Sequence, residues 1–182
     1  MNRQQDIERY RTIERRHMIR VKDALAVGLE RLERGEPPGP VFVFACSKYL
    51  EFIMGRFIRQ GQGNVARLGS VVPESDAANR SVLADIDATL RECSGHVERL
   101  AAAREAMDDA ELAAACHAFL GFYDGTLARR KDPAQAIVEQ YVDPEAYWRD
   151  TNDVTDESID TEHNLFRALI HIAPDIIQPD SD

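Results

Sequence analysis

The sequence predicts an all-α protein, an antiparallel, up-down four-helix bundle followed by an extra C-terminal helical segment. Three observations predict it. Apolar residues recur at spacings of three and four over long stretches. Glycine and proline cluster between those stretches. No strand-like alternation occurs. Four amphipathic segments with short links are the pattern of a bundle. The boundaries implied are a bundle over residues 1–149 and an acidic linker with a short terminal helix over 150–182.

The first segment runs from Arg3 to Arg34, with Ile7, Tyr10, Ile13, Met18, Val21, Leu25, Leu29 and Leu32 on its apolar side. The run from Gly35 to Pro40 breaks it. The second spans Val41 to Ile58, with Phe42, Cys46, Tyr49, Phe52 and Ile53 together and glycines 61, 63 and 69 loosening its end. The third follows Pro73, with Ser75 or Asn79 as its expected cap. Its stripe is Leu83, Ile86, Leu90, Cys93, Val97 and Leu100. The fourth runs from Asp109 to Arg130, where Asp132-Pro133 stops it, and carries Leu112, Ala115, Phe119, Phe122 and Thr126. Residues 134–142 suit a short helix. Asp150 to Asp160 reads as a loop, and Thr161 to Ile172 as a terminal helix with Leu165, Leu169 and Ile172 on one side.

Composition excludes several classes of function. The chain has 182 residues, of which 44% are hydrophobic and 30% charged, enough for a core and against wholesale disorder. No apolar run reaches the ~18 residues that a membrane span needs. The charged N-terminus lacks a secretion signal core, and three cysteines without a C-x-x-C pattern fit a reducing compartment, so a cytoplasmic location is expected. The net charge of −10 is unevenly placed. Residues from Asp143 onward hold 11 acids and two bases, whereas the first 142 hold 21 acids and 20 bases. Nothing concentrates the basic surface that nucleic acid or an anionic membrane requires, so neither is an expected partner. A small ligand, a protein partner or a second copy of the chain remain open.

Polar residues on the inward stripes are the candidate site. His17 lies four after Ile13 and four before Val21, and so points inward. Cys93 sits mid-stripe, and Thr126 and Arg130 share the inward side of the fourth segment. Each has a plain structural reading: a hydrogen-bonded core histidine, a small buried hydrophobe, a hydroxyl bonded to the preceding turn, and an arginine that snorkels or pairs. The sharper reading is a polar core pocket formed by His17, Cys93, Thr126 and Arg130. A bundle core can also hold two irons, which calls for repeated Glu-x-x-His or His-x-x-x-Glu spacings. Glu14-x-x-His17 occurs once, and Glu92 and His96 lie beside the third stripe. His17, Glu14, Glu92 and His96 are therefore the alternative metal set, with di-iron as the alternative cofactor and no cofactor as the first expectation. Walker, G-x-S-x-G and H-E-x-x-H motifs are absent. A Cys93–His17 nucleophile pair is the one catalytic arrangement in view, and a thiol in an apolar stripe is a weak nucleophile unless a cation lies near it.

The order of features over residues 10 to 150 resembles the hemerythrin-like (HHE cation-binding) family. Residues Thr12 to Leu25, with the inward His17, look like the family's first helix. Tyr49 to Leu68 resembles its second, Leu90 to Leu100 its third, and Phe119 to Asp132 with Asp143 to Trp148 its fourth and flanking segment. The resemblance implies the bundle and, in ordinary members, a di-iron site. Here the second-helix His-x-x-x-Glu falls on Phe57 to Gln62, the third-helix His at or beside Cys93, and the fourth-helix pair on Thr126 and Arg130. The resemblance therefore implies a scaffold kept without its irons, acting as a binding, sensory or regulatory module. The alternative is a di-iron protein that binds oxygen or nitric oxide or senses redox state.

Overall fold

A computed structural model of the chain describes residues 3–128 and 133–178. They form seven helices, α1 (Arg3–Glu33), α2 (Gly39–Val71), α3 (Ala77–Ala106), α4 (Asp109–Phe122), α5 (Gln135–Tyr141), α6 (Pro144–Asp150) and α7 (Asp156–Ile172), with no strand among the described residues. A π-helical turn, Tyr123–Leu127, continues α4. No described helix is long and apolar enough to cross a membrane.

The expected stripes are the buried ones. Val21, Leu25 and Leu29 of α1 meet Phe42, Cys46, Tyr49 and Leu50 of α2 in one core, joined by Cys93 and Leu100 of α3 and Phe119 of α4. Phe166, Leu169, Ala173 and Ile177 belong to the same core, so α7 and the turn after it close the interior. Helix α1 packs on α2, α2 on α3, α3 on α4 and α4 on α1, while α7 lies on α1 and α2. A smaller apolar cluster of Leu68, Val72, Leu83, Ile137, Val138 and Tyr147 seats α5 and α6 against the far ends of α2 and α3.

Three boundaries differ from expectation. Helix α2 continues through its glycines to Val71. At Gly61 a Cβ would sit 2.7 Å from Leu90, so the missing side chain permits the close approach of α2 to α3 that offsets the helix-weakening effect of glycine. Asp76 caps α3 by accepting from the Asn79 amide, in place of Ser75 or Asn79 itself. The acidic stretch expected to be a loop is helical from Asp156, because Thr155 and Ser158 satisfy each other's backbone amides in a capping box.

Candidate functional site

Two features share Glu14 and Arg56, and the first lies at the meeting of α1, α2 and α7. The first is a buried hydrogen-bond network. On α1, Tyr10, Glu14 and His17 follow steps of four and three and share a face. On α2, Tyr49 and Arg56 are seven apart and share another. Glu162 of α7 is fully buried and meets both. Its Oε1 accepts from the Tyr49 hydroxyl at 2.7 Å and lies 2.8 Å from His17 Nδ1. A carboxylate only accepts, which assigns the Nδ1 proton to His17. The imidazole stacks on Phe166 at 3.6 Å, and the Arg20 guanidinium sits 5.4 Å from the centre of the same ring. The other Glu162 oxygen, Oε2, has no hydrogen bond among the described residues and lies 3.8 Å from His163 Nε2.

One turn away, Glu14 Oε1 accepts from the Tyr10 hydroxyl at 2.9 Å and from Arg56 Nη1. Arg56 Nη2 reaches Asp153 at 3.4 Å. Burial opposes the Arg56 charge, but Glu14 and then Asp153 more than offset it and hold the guanidinium above its ordinary value. Burial, followed by the nearby Glu14 charge, raises Tyr10; burial, followed by Glu162, raises Tyr49. Both phenols are therefore fixed donors at neutral pH. Arg56 Nε is buried and has no acceptor among the described residues.

The second feature is a chamber of about 580 Å³ between α1, α2, α3, the segment after α4 and α6. Met18, Met54, Phe57, Val65, Ile86 and Leu90 supply its apolar walls. Gln60 and Asn64 add amides, and the charged residues lining it are Arg11, Glu14, Arg15 and Arg56. The size and the mixture of apolar wall with a few polar groups are those of small-molecule sites.

The structure separates the residues expected from sequence. His17 is buried and bonds to Glu162. Cys93 is buried in the main core, and burial pushes its thiol up to about 11, an unreactive state at neutral pH. Thr126 is half-buried in the π-helical turn. Arg130 lies outside the described residues. Of the alternative metal set, Glu14 is held by Arg56 and Tyr10, and Glu92 is exposed. His96 stacks on Phe122 at 4.7 Å, and burial, then Arg99, lowers its pKa. Among the described residues no group of three or more His, Cys, Asp or Glu is placed to hold a metal ion. The donor set here does not fit a pair of irons: the carboxylate one turn from His17 is already neutralised by a buried guanidinium, which would repel a cation.

Sequence reasoning passes over Glu162, Tyr49 and Arg56 as polar partners, and over the chamber. Glu162 carries a signal: it stands four before Phe166 and seven before Leu169, on the apolar side of α7. Comparison with family models, curated proteins and solved structures finds no match.

Proposed function

We propose that the chain is a hemerythrin-like, antiparallel four-helix bundle that works without a di-iron site, as a binding or regulatory module taking a small ligand inside the bundle. The pairwise packing of α1 to α2, α2 to α3, α3 to α4 and α4 to α1 supports the bundle, with α7 as the added terminal helix. The observation that carries the functional reading is the chamber of about 580 Å³, walled where the family's second-helix ligands are expected, at Phe57 and Gln60. A largely apolar hollow whose charged lining is three arginines and one carboxylate favours an organic guest over a pair of metal ions.

The network beside it gives the module its rigidity. Tyr49, His17 and Glu162 tie α2, α1 and α7 together, and Glu14 and Arg56, which the chamber shares with the network, are held by each other before a guest arrives. Binding of this kind makes and breaks no covalent bond. The protein is proposed to act in the cytoplasm, apart from nucleic acid and membrane.

Elemental analysis of the aerobically purified chain tests the reading. Iron well below one atom per chain, before and after incubation with ferrous salt, is the expected result. Two irons per chain with the absorption bands of an oxo-bridged pair would overturn it in favour of an oxygen- or nitric oxide-binding protein.

A further inference from the structure

The chamber's charge points to the class of guest, an inference that rests on the binding-module reading above. The chain as a whole has 32 acids and 22 bases. The described residues lining the chamber reverse that balance, with three arginines, Arg11, Arg15 and Arg56, and a single carboxylate, Glu14. The rest of the lining is largely apolar, including Met18, Met54 and Leu90, with Gln60 and Asn64 adding amides.

Arg56 is the buried one of the three arginines. Its side chain is 8% exposed, its Nη atoms are used by Glu14 and Asp153, and its Nε is buried without an acceptor among the described residues. We propose that the chamber binds an anionic amphiphile of the aliphatic monocarboxylate class, its chain among the methionines and Leu90 and its carboxylate against Arg56 and Arg15. The carboxylate would accept from the exposed Arg15 guanidinium and add negative charge where arginines exceed acids. An alkyl ammonium of the same length would set its charge against that excess. An alcohol would accept the bond without gaining the charge.

The test uses the full-length chain and three probes with ten-carbon tails, decanoate and decyltrimethylammonium below their micelle concentrations and 1-decanol below its solubility limit. Binding is read by calorimetry and by displacement of 1-anilinonaphthalene-8-sulfonate. Decanoate is expected to bind at least about tenfold more tightly than decanol and more tightly still than the ammonium. Arg15→Gln, at an exposed position that leaves the core untouched, is expected to weaken decanoate severalfold and leave decanol unchanged. Val65→Trp, filling the chamber, is expected to abolish binding of all three, with circular dichroism reporting an intact fold. Equal binding of decanoate and decanol, a preference for the ammonium, or decanoate binding undiminished in Val65→Trp would each overturn the proposal. So would the absence of decanoate binding. The iron-free module stands or falls separately, on the metal content of the chain, whichever way the carboxylate experiment comes out.

Discussion

Glu162 is the side chain on which most depends, because one of its oxygens serves two buried donors on two other helices. Truncating it strands both. Glu162→Ala is expected to destabilise the fold by about 3 kcal/mol, the usual cost of breaking a buried polar pair from one side. The triple variant Glu162→Leu, His17→Phe, Tyr49→Phe removes all three partners together and is expected to recover most of that loss, because apolar groups of like size need no acceptor. Urea denaturation of the two variants checks this, and a triple variant less stable than the single one would contradict it. The thiols give a second residue-scale expectation. Burial raises Cys93 to about 11 and Cys116 to about 12, and lifts Cys46 well above its ordinary value. Iodoacetamide at pH 7 should leave all three unlabelled in the folded chain and label them in urea, as read by intact mass. Much at this scale is legible in the sequence: spacing from Ile13 and Val21 places His17 inward, and the core stripes are the ones the period predicts. Glu162 is not, because an acid within an acidic stretch reads as solvated until its register with Phe166 and Leu169 is examined.

Helix ends carry testable free energy at the scale of the element. The capping box at Thr155 begins α7 and so sets the register that brings Glu162 inward. Thr155→Ala is expected to cost about 1 kcal/mol, with the loss visible as a lowered denaturation midpoint. The end of α3 offers the opposite. Met107 holds a left-handed backbone at φ +54° and is 80% exposed, so it adopts a costly conformation and buries little. Met107→Gly is expected to stabilise by about 1 kcal/mol, since glycine takes that conformation without the Cβ penalty. A destabilised variant would show that the methionine packs in solution. The existence of the elements is readable from periodicity, whereas the continuation of α2 through three glycines is not. Glycine marks a break on local propensity, but at Gly61 the contact with Leu90 decides in favour of the helix. The π-helical turn after Phe122 likewise has no signature in the spacing of apolar residues.

Charge is distributed differently over the whole molecule than along the chain. Part of the acid excess after Asp143 pairs with bases of the first two helices: Asp153 with Arg56, Asp175 with Arg31 at 2.6 Å, and Glu162 with His17. Exposed pairs such as Arg31–Asp175 contribute little, and the buried ones fix geometry. Alkaline stability follows from the phenols. Tyr10 and Tyr49 are raised above their ordinary value, so the folded state favours the neutral form; that contribution is whole below pH ~10 and is lost as pH rises above it. Tyrosinate absorbance for these two should therefore appear together with the loss of helical circular dichroism, and a full tyrosinate signal on an intact helix spectrum would show the phenols to be exposed. The chamber is beyond the reach of the sequence, because a hollow belongs jointly to several helices and no one stripe records it.

The Glu162 tie also orders events during synthesis. Until residue 162 has left the ribosome, His17 and Tyr49 lack their acceptor, and the apolar floor beneath α7, including Val21 and Tyr49, lacks Phe166 and Leu169. A growing chain thus has most of its helices available and still cannot seal its interior. A product clipped ahead of α7 would present the same unsealed face, so quality-control proteases have a simple way to tell a finished molecule from a fragment.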